Sequence, residues 1–348
     1  MGAIVEAIEL VKHFPAGAAF FGRSSGVVKA VDGVSFAVGP QESFAIVGES
    51  GCGKSTVARL VLRLIEPTSG SVRLEGRDLL ALGPAEMRAA RCRLQIVFQD
   101  PYGSLNPRMT VGQMLTEPLA LHAVVPPARR AERLAELLQL VGLRPEAAQR
   151  YPHEFSGGQR QRLAIARALA AEPLVIVCDE PVSALDVSIQ AQILNLLADL
   201  QQRLGLAYVI ISHDLAVVRH IATTVGVMYL GRFVESGPNE TLFERPRHPY
   251  TQALLSAVPV AAPGRGSKRI VLQGDVPSPL APPPGCHFHP RCAHAIARCR
   301  VEVPVEEAKP DGGMVACHRW RELDAWTPAD GAQRGGAALA RLQAAFVA

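Results

Sequence analysis

A chain of 348 residues is long enough for one large α/β domain with a smaller one beside it, and it can bury a core without needing disulfides. The net charge of +4, with arginines scattered among acids rather than gathered in a stripe, excludes a nucleic-acid binder recognisable by charge. No basic start leads into an apolar core with a small-residue cleavage site, and no run of about 18 apolar residues occurs; the nearest, residues 215–230, is broken by Arg219 and His220. The expectation is a soluble, cytosolic chain unless a partner holds it at a membrane.

Residues 5–11 and 31–38 are β-branched and apolar, which predicts antiparallel strands. Ser43–Val47 (SFAIV) reads as a short buried strand and residues 56–65 as an amphipathic helix. Between them lies GESGCGKST: Gly48, Glu49, Ser50, Gly51, Cys52, Gly53, Lys54, Ser55 and Thr56. This matches the phosphate-binding loop G-x-x-x-x-G-K-[ST] in its required setting, a strand running into a helix. Glycines and a helix N-terminus together free backbone N–H groups for an anion, so the substrate class is a nucleoside triphosphate with magnesium. Lys54 is the only lysine between Ala30 and Ser267, in a chain that writes nearly every other positive charge as arginine. A compact ammonium fits a narrow loop where a planar guanidinium would crowd it.

Residues 67–70 form a predicted turn, 71–75 a strand and 94–98 another buried strand. From about 110 to 172 strand signals stop, and apolar residues at helical spacing in 132–141 and 159–169 predict an inserted helical subdomain. Ser156, Gly157, Gly158 and Gln159 open the second of these helices. A serine and two glycines there can simply cap a helix or can form a second anion site. Strands resume at 174–178 and 207–211, each followed by a helix pattern, which implies a parallel sheet covered by helices. Asp179 and Glu180 fall at the carboxyl end of the first, the edge at which such sheets bind ligands. Asp179 is placed to hold magnesium with the Ser55 hydroxyl, and Glu180 to accept a proton from attacking water.

The texture changes near residue 245, and 276–285 (VPSPLAPPPG) is proline-rich enough to be an extended connector. Four of the seven cysteines, Cys286, Cys292, Cys299 and Cys317, fall within 32 residues; Cys52, Cys92 and Cys178 read as packing residues. Four thiolates can hold zinc or an iron–sulfur cluster, or remain unmetallated, although the paired C-x₂₋₄-C knuckles usual for zinc are missing. His287, His289, His294 and His318 lie nearby as structural residues or outer supports.

The order of these motifs resembles the ATP-binding cassette transporter ATPases. On that resemblance Gln99 is the glutamine-loop residue, Ser156, Gly157, Gly158 and Gln159 are the signature, Ser183 and Asp186 belong to the D-loop, and His213 is the switch histidine contacting the γ-phosphate. The resemblance implies catalytic roles for Glu180, His213, Gln99 and Lys54, magnesium at Ser55, Gln99 and Asp179, and adenine stacking by Phe21 in preference to Phe14. It also implies two cassettes sandwiching two ATP molecules head to tail, each signature facing the partner's phosphate loop. The implied fold is a P-loop NTPase α/β core with an antiparallel β subdomain and an inserted helical subdomain, plus a small C-terminal cysteine-containing domain. The implied division is a cassette over 1–245, with its helical subdomain at about 110–172, the C-terminal domain over 246–322 and a tail over 323–348.

FQDPYGSLNPRMTVG (residues 98–112) and RHPYTQALLSAVP (residues 247–259) resemble the oligopeptide, dipeptide and nickel importer branch. Membership there implies uptake of dipeptides or oligopeptides, with nickel, another small solute or a soluble non-transport ATPase as alternatives. The implied partners are a second ATPase, identical or paralogous, two transmembrane permease subunits and, indirectly, an extracytoplasmic solute-binding protein. The implied location is peripheral, on the cytoplasmic face of the bacterial inner membrane. Members of this branch also imply a 4Fe–4S cluster on the four cysteines, with Zn²⁺ as the alternative.

Overall fold

The computed structural model describes residues 2–15, 26–258 and 269–323. The chain opens with β1 (Val5–Pro15), β2 (Val27–Val38) and β3 (Ser43–Val47), then α1 (Lys54–Val61), β4 (Ser69–Leu74), β5 (Arg77–Asp78), α2 (Pro84–Arg93) and β6 (Leu94–Val97). A helical stretch follows: α3 (Pro101–Ser104), α4 (Val111–Leu121), α5 (Arg130–Leu140) and α6 (Gly157–Leu169). The alternation resumes with β7 (Val175–Asp179), α7 (Val187–Leu204), β8 (Ala207–Ser212), α8 (Leu215–Ile221), β9 (Thr224–Tyr229) and β10 (Arg232–Pro238). Last come α9 (Asn239–Glu244), α10 (Pro249–Ser256), β11 (Glu307–Ala308) and β12 (Met314–Val315).

Two sheets result. One is antiparallel, in the order β2-β1-β4-β5; the other is mixed, in the order β11-β12-β10-β9-β3-β8-β7-β6. Strand β3 lies parallel between β8 and β9, and β7 and β6 continue the parallel run. All five residues of β3 are buried, because a central strand is covered on both faces. Its period-two alternation divides the core: Phe44 and Ile46 join the layer beneath the antiparallel sheet, whereas Ala45 and Val47 join the layer beneath the helices.

The expected elements recur with shifted ends. The helix expected over 56–65 runs from Lys54 to Val61, because backbone N–H groups from Lys54 onward already belong to the helix and the chain turns at Arg63, whose φ is 47°. The run at 215–230 is not one segment: α8 ends at Ile221 and β9 begins at Thr224, so its apolar residues serve two elements. The C-terminal strands β11 and β12 extend the main sheet through β10, with Glu235 opposite Val315. Glu235 pins this junction. Its buried carboxylate accepts from Lys309 Nζ at 2.9 Å and from the backbone N–H groups of Arg247 and His248, both at 2.9 Å. Pairing and three donors together offset the desolvation of a buried ion pair. Residues 324–348 of the expected tail lie outside the described residues.

Candidate functional site

The parallel register brings the carboxyl ends of three strands to one edge. Val47 is opposite Ser212, and Asp179 opposite Ile211, so the phosphate loop, the Asp179–Glu180 pair and His213 emerge side by side. A groove of about 490 Å³ opens there, lined by Ser50, Gly51, Gly53, Lys54, Ser55, Thr56, Gln99, Glu180 and His213, with Val28, Ala30 and Pro279 at its flank. These lining residues span most of the chain, yet local rules fix the loop itself. Gly53 has φ +109° and stands so close to Ala30 that a Cβ would meet its carbonyl oxygen at 2.0 Å. Only glycine fits that position.

Lys54 is buried, and its ammonium donates to the carbonyls of Gly48 at 2.8 Å and Glu49 at 3.0 Å. The Ser55 hydroxyl donates to Asp179 Oδ1 at 3.0 Å. Burial pushes the Asp179 carboxyl up, and the neighbouring Glu180 charge adds to this while the Ser55 hydrogen bond opposes it. A divalent cation would reverse that penalty. The hydroxyl and carboxylate are hard oxygen donors suited to magnesium.

Glu180 is organised from three sides. Gln99 Nε2 donates to its Oε2 at 2.9 Å, His213 Nδ1 stands 3.1 Å from its Oε1, and its own backbone N–H donates to Ile211 O at 2.9 Å. Its φ of 49° is left-handed, a conformation that costs a non-glycine residue about 1 kcal/mol or more and persists only where its surroundings hold it. The result is a carboxylate facing the groove with both oxygens already oriented. Gln99 is therefore seen bonding Glu180, and it lines the same groove as Ser55.

Ser156 does cap α6: its backbone N–H donates to Gln159 Oε1 at 3.1 Å and the Gln159 N–H donates to Ser156 Oγ at 3.4 Å. That reciprocal box leaves the glycines to explain. A Cβ on Gly158 would lie 2.5 Å from Ile189 of α7, so that position admits no side chain unless Ile189 shifts, whereas one on Gly157 would only touch Leu185 at 3.4 Å. None of the four signature residues lines the groove of its own chain. In the D-loop, the Ser183 hydroxyl donates to Glu180 O at 3.2 Å, and Asp186 sits at the N-cap of α7. Phe21 lies outside the described residues.

The four C-terminal cysteines converge although they are spread over 32 positions. Cys286, Cys292, Cys299 and Cys317 all line one small pocket together with His248, Phe288, His289, His294 and His318. Backbone bonds shape it, from Cys286 N–H to Cys299 O at 2.9 Å and from Cys292 N–H to His289 O at 3.3 Å. Burial, with neighbouring thiols adding to it, pushes Cys286, Cys292 and Cys317 up to about 11. Among the described residues no group of three or more His, Cys, Asp or Glu side chains is arranged to hold a metal ion. Of the nearby histidines, His289 Nδ1 lies 2.9 Å from Cys286 O and His318 Nε2 2.9 Å from Glu302 O, consistent with supporting roles. The other three cysteines are apart from this pocket: Cys178 is fully buried and Cys92 Sγ donates to Ala171 O at 3.0 Å.

Sequence reasoning missed what surrounds the phosphate loop from outside. Glu49 is bound by Arg291, 242 positions away, and by Tyr250. No local pattern connects residues at that separation. Both sit in segments that stand out by composition, GCHFHPRC and RHPYT, and that was the available signal.

Comparison with known proteins gives this geometry its context. The ABC transporter family pattern matches residues 31–183, and that of the oligopeptide/dipeptide transporter C-terminal region matches residues 234–299. A probable peptide ABC transporter ATP-binding protein, y4tS of Sinorhizobium fredii, is 57% identical over 91% of this chain and 90% of its own length. The chain belongs to the ABC transporter ATP-binding family. The dipeptide transport ATP-binding protein DppF of Escherichia coli is 52% identical over 90% of this chain and 93% of its own. A solved dimeric ATP-binding cassette, MJ0796, in a post-hydrolysis state with ADP and Pi, superposes with a TM-score of 0.60 at 28% identity, covering 68% of this chain and 98% of that one.

As an ABC ATPase the chain binds ATP and hydrolyses it, and its family works as a pair of ATPases beside membrane permeases. Among the described residues no helix is long and apolar enough to cross a membrane.

Proposed function

We propose that this chain is the ATP-hydrolysing subunit of a bacterial importer of dipeptides and oligopeptides, held on the cytoplasmic face of the inner membrane by two permease subunits. The observation that carries this reading is the 57% identity to a probable peptide transporter ATPase over nine-tenths of both chains, including the C-terminal region. The second ATPase is a copy of this chain or a paralogue, and an extracytoplasmic binding protein delivers the cargo. The cassette occupies residues 1–245, with its helical subdomain at about 110–172, and the C-terminal domain 246–322.

Lys54 and the N–H groups of the loop take the β- and γ-phosphates, and Ser55 with Asp179 would hold magnesium, which neutralises charge developing on the phosphates. Glu180, oriented by Gln99 and His213, accepts the proton of the attacking water. The missing wall of the site is the partner's signature: a second copy presents Ser156, Gly157, Gly158 and Gln159, with the dipole of α6 behind them. Closure of the pair then assembles two complete sites, and permeases docked on the helical subdomain feel that closure.

The four cysteines fit a 4Fe–4S cluster. What supports this reading is that their donor set is all sulfur and that they line one pocket. The cluster would staple a small proline-rich region that has little core of its own. Anaerobically purified protein should be brown, with broad absorbance near about 400 nm; colourless protein with one equivalent of zinc would overturn the assignment.

The cargo is tested in a complex reconstituted with its cognate binding protein. Dipeptides should stimulate ATP hydrolysis, whereas stimulation by nickel alone, or hydrolysis indifferent to the binding protein, would sink the peptide reading.

A further inference from the structure

The loop carrying Cys286 and Cys292 also carries Arg291, and Arg291 grips the phosphate loop. Its guanidinium donates from Nη1 to Glu49 Oε2 at 2.6 Å and from Nη2 to Glu49 Oε1 at 3.1 Å. This is a two-pronged, charge-assisted pair, the strongest common kind of side-chain hydrogen bonding. The Arg291 side chain is only 8% exposed, so little water competes for it. The hydrogen bond to Glu49 raises the guanidinium's proton affinity further.

A second grip closes on the same residue. The Glu49 backbone N–H donates to the Tyr250 hydroxyl at 3.0 Å. Tyr250 is fully buried, with its ring 4.8 Å from that of Tyr229 on β9 and 5.3 Å from that of Phe288, which lies between Cys286 and Arg291. Glu49 is thus held by side chain and backbone from outside the loop, while its own carbonyl faces Lys54 Nζ at 3.0 Å. The same segment also reaches the far end of the groove: Pro279 lines it, and its carbonyl accepts from Lys29 N–H at 3.3 Å.

We infer that Arg291 and Tyr250 are positioning residues of the ATP site, bracing the phosphate loop through Glu49, so that the C-terminal segment sets nucleotide affinity. Neither touches the reacting atoms. Their effect passes through the conformation of residues 48–54, whose amides and lysine must stand in place before phosphate arrives. Fixing them in advance lowers the ordering cost of binding. The inference rests on ATP binding by this family and is independent of cargo and of the cysteine ligand.

The test uses the full-length chain with a fluorescent ATP analogue, and the assembled transporter for turnover. Arg291→Ala should weaken nucleotide binding about tenfold and raise the KM for ATP in step, leaving kcat at saturating ATP within about twofold, and Glu49→Ala should weaken binding to the same extent. The double variant should be no worse than either single one, since both remove one link. Arg291→Lys keeps the charge without the fork and should recover part of the loss. Tyr250→Phe, which removes only the hydroxyl, should cost about threefold. Unchanged nucleotide affinity in a folded Arg291→Ala protein would overturn the inference, as would multiplicative effects in the double variant or a fall in kcat with KM constant. Should Arg291→Ala not fold, Glu49→Ala carries the same test from a partly exposed position.

Discussion

The ATP groove and the cysteine pocket are both built where distant segments meet, but they reach their geometry differently. In the groove the reacting groups already bond one another: Ser55 to Asp179, Gln99 and His213 to Glu180, Lys54 to loop carbonyls. In the pocket, three thiols are raised to about 11 and turned toward one space, with backbone bonds doing the shaping. The first is preorganised by its own hydrogen bonds; the second has charge to gain only from a bound cation. A site whose chemistry is turnover must be ready before substrate arrives, whereas a site that staples a fold, the role proposed above for the cysteines, can let its ligand finish the job.

The contrast is broken most severely at Glu180. Glu180→Gln should lower ATP hydrolysis in the assembled transporter by roughly 10²–10⁴ while the full-length protein still binds ATP. Phosphate release at the native rate would remove Glu180 as the base. Phe288→Ala strikes the seam between the two sites, deleting a buried ring that contacts Tyr229 and Tyr250. It should cost about 3–5 kcal/mol in denaturant unfolding; a loss below about 1 kcal/mol would mean that the two regions are not packed as one body.

A titration sharpens the contrast further. Without a bound metal, Cys286, Cys292 and Cys317 stay protonated in the folded chain up to about 11, against an ordinary value of 9.0. The unfolded chain gives up those protons first. Stability from these thiols is therefore fully present below about pH 9 and is lost as pH rises toward about 11. Melting curves of the metal-free protein should show this decline, and Cys286→Ser should make it shallower; an identical decline in the variant would argue that the thiols are not buried together. At the small end, Cys92→Ser should leave colour, nucleotide affinity and turnover unchanged, because Cys92 bonds Ala171 O and lies outside both sites. Loss of colour in that variant would disperse the four-cysteine assignment.

Much of the groove was legible because its chemistry is written in short contiguous runs. Gly48 through Thr56 specify their own turn, and Asp179 ends, with Glu180 just after it, a strand whose five residues are all buried. Ser156 was ambiguous between a cap and an anion site, and its capping box with Gln159 accounts for the former; the tight approach of Gly158 to Ile189 is a packing fact that no run of residues announces. The C-terminal region was the least legible. Short strands such as Glu307–Ala308 and Met314–Val315 carry too few residues to show a period; β10 offers an edge to Met314–Val315, which in turn pairs with Glu307–Ala308.

By itself the sequence determined the triphosphate chemistry, the order of the motifs that meet at the groove and the grouping of four cysteines, since each depends on local backbone geometry or on residue type. Tertiary structure alone decided that Gln99 bonds Glu180, that a buried Glu235–Lys309 pair locks the C-terminal strands to the sheet, and that Arg291 reaches Glu49 across 242 positions. Those contacts depend on which strands lie side by side. A carboxylate's partner is set by distance in space, and sequence separation carries no record of it.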